Sequence, residues 1–177
     1  LRLRQLLVRR GLQGLGQPHG AGGSFNKTAV LSLIDTDTGK VRSRVVPDVT
    51  GASLRKAIAD QVQMSRSTLH TDESKAYNAV GAEFAAHETV NHAAGEYVRY
   101  EDGDVVTSNQ AENFFSQLKR SLDGTHHHVS RKHLHRYLGE FDFRYSTRDD
   151  SDTDRMLAII DQASGRRLTY RPLVSAA

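Results

Sequence analysis

TAVLSLIDTDTGKVRSRVVPDV, residues 28–49, carries two different hydrophobic patterns on either side of a turn. Thr28–Ile34 is a short unbroken apolar run, as in a strand buried on both faces. Asp35–Gly39 (DTDTG) is turn chemistry, because Asp side chains bond their own backbone and glycine tolerates positive φ. Lys40–Val46 alternates polar and apolar residues, which fits a strand with one wet face. The stretch therefore predicts a β-hairpin.

Working outward, Thr50, Gly51 and Ser53 can open a helix that runs through Leu54, Ile58 and Val62. Ser67–Thr71 reads as a short strand ending at Asp72, Glu73–Phe84 as a helix and Glu88–Asn91 as another short strand. From Ser108 the pattern turns helical. Ser108 or Asn109 can cap a helix whose apolar stripe is Phe114, Phe115 and Leu118, with a stop at Asp123–Gly124. Ser130 can cap a second helix bearing Leu134, Tyr137, Leu138, Phe141 and Tyr145, and a third covers Asp152–Ala163 and ends at Gly165. A hairpin, then mixed elements, then helices predicts an α/β domain with a mixed sheet. Upstream, residues 1–26 are basic and Gly-rich, and read as a poorly ordered leader before a domain at 27–177.

The 177 residues suffice for one ordinary domain. No apolar run nears the roughly 18 residues of a membrane span, and arginines interrupt the apolar runs of Leu1–Arg10, which excludes a secretory h-region. The expected location is cytoplasmic, with the nucleoid as the site of action. Cysteine is absent, so disulfides, thiolate metal sites and a Cys nucleophile are excluded. Net charge is +3, but residues 1–27 hold five basic and no acidic residues, so the rest of the chain is slightly acidic. Leu1 in place of Met suggests a fragment or a non-standard start.

Asp72 sits where an apolar strand ends, a place where sheet-rim ligands bind. Glu112 lies early in a helix and Lys119 follows seven residues later; 700° is only about 20° short of two turns, so both share one face about 10 Å apart. Asn109 lies one turn before Glu112. Amide, carboxylate and ammonium in line suit a hard divalent cation and a phosphate backbone, and equally an ordinary solvated face. His126, His127, His128, His133 and His135 crowd into one short stretch. The gap between His128 and His133 weakly matches zinc spacing, but two further ligands at the usual spacing are missing. Histidines beside Arg131 and Lys132 fit phosphate contact or helix capping better. Walker, G-x-S-x-G and H-E-x-x-H motifs are absent.

Five stretches carry a resemblance: Thr28–Val49, LHTDESKAY at 69–77, HETVNHAAGEYV at 87–98, the long block TSNQAENFFSQLKRSLDGTHHHVSRKHLHRYLGEFDFRYSTR at 107–148, and GRRLTYRPL at 165–173. Together they span about 28–173 and resemble the ISXO-two-like insertion-sequence transposases of the DDE superfamily. The resemblance implies an RNase H-like, integrase-type mixed sheet with flanking helices, and cutting and joining of DNA assisted by Mg2+ or Mn2+. It implies that Asp72 and Glu112 are catalytic, metal-holding carboxylates matching the family's second and third acids. Lys119 matches the basic residue that follows the third acid, and Asn109 and His92 support the site. Lys119, Arg120, His126, His127, Arg131 and Lys132 are the expected DNA contacts, with transposon ends and target DNA as partners, no membrane and a possible homo-oligomer. The family's first acid, in a motif like V-D-E-x-Y-x-G-G on an opening strand, has no counterpart here, since residues 1–24 contain no Asp or Glu. The expectation is therefore a transposase catalytic domain, truncated and inactive, lacking its first-acid strand; residues 1–12 (LRLRQLLVRRGL), with Leu6, Leu7 and Val8, could partly fill that strand's place but bring no carboxylate. The competing readings are a non-catalytic DNA-binding remnant or regulator of transposition, and a metal-dependent nuclease of the same fold.

Overall fold

The structure is a computed structural model; it describes residues 4–12, 28–72, 74–90, 98–101, 104–107, 109–126 and 129–166, the strands at 4–12, 98–101 and 104–107 by their backbone. Its strands are β1 (Arg4–Leu12), β2 (Thr28–Asp35), β3 (Val41–Val46), β4 (Thr68–Asp72), β5 (Ala86–Val90), β6 (Val98–Glu101) and β7 (Asp104–Thr107). The helices are α1 (Gly51–Ala59), α2 (Asn78–Gly81), α3 (Asn109–Arg120), α4 (Leu134–Ser146) and α5 (Asp152–Ala163). The chain divides into two units, 1–146 and 147–177.

In the first unit a five-stranded sheet runs β3-β2-β1-β4-β5. β2 is antiparallel to β1 and β3, while β1, β4 and β5 are mutually parallel. The predicted hairpin is β2–β3, with the turn closed by Asp35 Oδ1 accepting from the backbone N–H groups of Asp37 and Thr38 and by Gly39 at φ 66. β2 lies inside the sheet and is buried on both faces, as its unbroken apolar run requires.

The alternation along β2 sorts two cores. Ala29, Leu31 and Leu33 pack with Leu54, Ala57 and Ile58 of α1 and with Leu69, Tyr77 and Val80. Val30 and Ile34 pack on the other face with Phe114, Phe115 and Leu118 of α3 and Leu134 and Leu138 of α4. The architecture is thus helix, sheet, helix. Phe114 anchors the second core: it is fully buried and meets Phe115, Phe141 and Tyr145 edge-on at centroid distances of 5.5, 5.4 and 5.1 Å.

β3 is an edge strand, and α4 covers its exposed edge. Ser146 Oγ accepts from the Val41 N–H at 2.9 Å, and Asp142 accepts from the Ser43 N–H and, at 2.7 Å, from the Ser43 hydroxyl. Ser32 Oγ lies 2.8 Å from Ser43 Oγ. One helical turn therefore satisfies two edge N–H groups that would otherwise be open to strand addition.

Three expectations need correction, and one element was not foreseen. Residues 4–12 of the segment read as a leader form β1, the middle strand of the sheet; residues 13–27 lie outside the described residues. Backbone pairing with β2 on one side and β4 on the other supplies what the local pattern does not. The helix expected at 73–84 is one 3₁₀ turn, Lys75–Tyr77, and the four-residue α2. It stops because Ala85 turns its N–H to Ser67 O at 3.0 Å, drawing the chain back to the sheet. Asp123–Gly124 does not stop the helix after α3: Ser121–Thr125 continues it as a π turn. The β6–β7 hairpin was not expected.

The second unit contains α5, with the predicted bounds. Ser151 caps it by accepting from the Asp154 N–H at 3.2 Å, and Gly165 follows it at φ 72, the left-handed conformation that ends helices. Among the described residues no helix is long and apolar enough to cross a membrane.

Candidate active site

Asp72 is the last residue of β4, and its Oδ1 accepts from the Ser74 N–H at 3.1 Å, closing an Asx turn as the chain leaves the sheet. Its face follows from register. Ile34, Gln5 and His70 lie in one row across β2, β1 and β4, and laterally paired residues share a face. Ile34 belongs to the core under α3 and α4, so His70 and, two residues on, Asp72 belong to that face. Glu112 comes to the same face from the other side. Ala111, Phe114, Phe115 and Leu118 seat α3 on that core, and Glu112 stands half-buried in its first turn. The positive end of the helix dipole favours a carboxylate there. Asn109 opens the helix and is exposed; Lys119, half-buried, and Arg120, exposed, close it.

The basic and histidine residues further on are more dispersed. Arg131 and Lys132 are exposed in the turn before α4. His126, at the end of the π turn, is half-buried with its ring edge-on to Tyr137 at 4.7 Å. It borders a shallow hollow with Leu118, Leu122, Phe141 and Arg144. His92 and His127 lie outside the described residues.

Sequence reasoning missed the support behind the strand end. His87 on β5 places Nε2 2.9 Å from Thr71 Oγ1, which also donates to the Asp72 carbonyl at 2.9 Å. Burial holds the His87 pKa below the ordinary histidine value, with Glu88 opposing. The ring packs where a Cβ on residue 81 would stand, so only glycine fits at Gly81. The signal was present in the alternation Leu69-His70-Thr71 opposite His87, but the pairing of β4 with β5 is needed to read it.

Among the described residues, the side chains do not complete a cage for a pair of divalent metals. Among the described residues no three His, Asp or Glu side chains come together as a metal-binding group. The middle strand β1, RQLLVRRGL, contains no acid at any position. Asp72 and Glu112 are the two carboxylates the fold offers from the expected elements.

A mixed five-stranded sheet of this order, covered by helices on both faces, is an RNase H-like, integrase-type fold. The catalytic core domain of BIV integrase has this fold: it matches with a TM-score of 0.51 and 16% identity, over 80% of this chain and 81% of that one. The ISXO2-like transposase domain matches residues 9–146, and the chain belongs to that family. Its role is therefore that of a DDE transposase catalytic domain, in a family that acts on DNA and generally uses divalent metal. No curated protein matches the chain.

Proposed function

We propose that this chain is a DDE transposase catalytic domain that binds DNA but does not cut it. The observation that carries this reading is β1. It occupies the middle of the sheet, between β2 and β4, and brings no carboxylate. Advancing two residues along both strands from the Gln5–His70 pair brings Leu7, opposite Ser32, level with Asp72. Continued at that register, the backbone position of β1 nearest Asp72 would be a leucine, not an acid. Mg2+ requires near-octahedral oxygen coordination, and a metal pair about 3.5–4 Å apart needs bridging anions. Two carboxylates, Asp72 and Glu112, supply too few.

DNA binding rests on other residues. Arg120, Arg131 and Lys132 are exposed, and Lys119 shares the α3 face of Glu112. With His126 and His127 they form the proposed phosphate-binding set, and Asn109 and His92 the proposed site support. Such contacts are sequence-independent and release counterions, so affinity falls steeply with salt. Bound without cleavage, the chain would compete with active transposase for element ends.

The test uses purified chain with Mg2+ or Mn2+ on DNA bearing the element's ends, beside an Asp72→Ala, Glu112→Ala double variant. The expected result is salt-sensitive binding and no nicking by either protein. Metal-dependent nicking abolished by the double substitution would show that another acid completes the site. Binding unchanged between about 50 and 200 mM salt would remove the phosphate contacts.

A further inference from the structure

The second unit holds a helix whose apolar side chains the described residues leave open. Met156, Leu157, Ile159 and Ile160 of α5 are 54%, 55%, 54% and 57% exposed. At 100° per residue Met156, Ile159, Ile160 and Ala163 fall within an arc of about 100° and form one stripe. Charge does not select what covers it: Asp154 and Asp161 lie on the opposite side of the helix, and Asp152 pairs with Arg155 at 3.5 Å.

The way α5 ends does select an occupant. Ser164 at φ -58, ψ 134 and Gly165 at φ 72 are the two central residues of a type II β-turn, closed by the Arg166 N–H donating to Ala163 O at 3.1 Å. The chain therefore reverses between Ala163 and Arg166 instead of running on past the helix. Residues 167–174, RLTYRPLV, lie outside the described residues, and their sequence alternates. Leu168, Tyr170, Pro172 and Val174 fall on one side of an extended segment, and Arg167, Thr169 and Arg171 on the other; Leu173 alone breaks the pattern. Pro172 opposes helix and withholds a ladder N–H, so the segment suits lying singly against another element better than pairing inside a sheet.

We propose that residues 167–172 fold back along α5 in extended form, and that Leu168 and Tyr170 cover the stripe. The lengths fit. From Arg166, level with Ala163, an extended chain gains about 3.3 Å per residue while the helix rises about 1.5 Å. Leu168 then lies about 6.6 Å back, level with Ile159, and Tyr170 about 13 Å back, within its ring's reach of Met156. Leu168 and Tyr170 share a side only in an extended segment; a helical continuation would part them by about 200°. Arg167, Thr169 and Arg171 keep their polar ends in water. Both partners belong to the unit 147–177, so the inference holds whether or not the chain cuts DNA.

The chain has no cysteine, so paired cysteines report the contact directly in the whole chain. Ile160→Cys with Leu168→Cys, and Met156→Cys with Tyr170→Cys, should each close an internal disulfide in dilute solution, at least about tenfold faster than two controls. The controls are Asp161→Cys with Leu168→Cys, on the opposite side of α5, and Ile160→Cys with Thr169→Cys, on the side of the segment that faces water. Hydrogen exchange gives a second readout without thiols. Leu168→Ser with Tyr170→Ser should speed exchange of the α5 amides at least about tenfold, and Arg167→Ser with Arg171→Ser should leave it unchanged. Internal closure no faster than in the controls, disulfides between chains in place of internal ones, or α5 exchange untouched by the changes at Leu168 and Tyr170 would overturn the proposal.

Discussion

Asp142 should make the domain less stable as pH rises through the slightly acidic range. Its carboxylate is half-buried between α4 and β3, where it accepts from the Ser43 N–H and hydroxyl. Burial raises its pKa from 3.8 to about 6, and the two bonds from Ser43 offset only part of that. The sign follows from proton counts. Between these two values the native state holds a proton that the unfolded chain has lost, so stability falls as pH rises. The full contribution is present below 3.8 and is lost as pH passes through about 6. A shift of about two units corresponds to up to about 3 kcal/mol.

Asp142→Asn is the matching perturbation. The amide oxygen can still accept from the Ser43 N–H, its NH2 can donate to the Ser43 hydroxyl, and nothing titrates. Urea unfolding of both proteins at pH 4 and pH 7.5 isolates the effect, because every other titrating group cancels in the difference. The variant should gain about 2–3 kcal/mol on the parent chain between the two pH values. A difference constant to within about 0.5 kcal/mol, or one that moves in the parent's favour as pH rises, would refute the reasoning.

Two further changes probe the scaffold. Gly81→Ala should cost about 1–3 kcal/mol by chemical denaturation, since the added Cβ collides with the His87 ring, and a second change, His87→Ala, should recover much of that loss. Phe114→Ala should cost about 3–5 kcal/mol, because it empties a fully buried site ringed by Phe115, Phe141 and Tyr145; a loss under about 1 kcal/mol would mean that α3 is not seated as described.

Where the candidate residues sit in their elements was largely legible from local pattern. The spacing of Asn109, Glu112 and Lys119 survives because α3 is a regular helix over all three residues. Asp72 was placed at a strand end because Leu69–Thr71 is a buried run that stops at a charge. What the pattern does not carry is the shared sheet face of Asp72 and α3, which needs the register of three strands.

The sequence by itself determined the elements whose periodicity is their own: the β2–β3 hairpin, β4, α3, α4 and α5, together with the family resemblance in 107–148. It also established, by composition alone, that residues 1–24 hold no carboxylate. Only the tertiary structure decided that Arg4–Leu12 is the middle strand. RQLLVRRGL has neither clean alternation nor an unbroken apolar run, and its strand character comes from hydrogen bonds to β2 and β4, which lie far along the chain. The same holds for Asp142. On its own helix it is one more polar residue, and it becomes a half-buried, strand-capping carboxylate only because α4 lies along the edge of β3, 99 residues from Ser43. Local physical chemistry writes helices and turns into the sequence, whereas pairing and burial depend on partners that sequence order does not bring together.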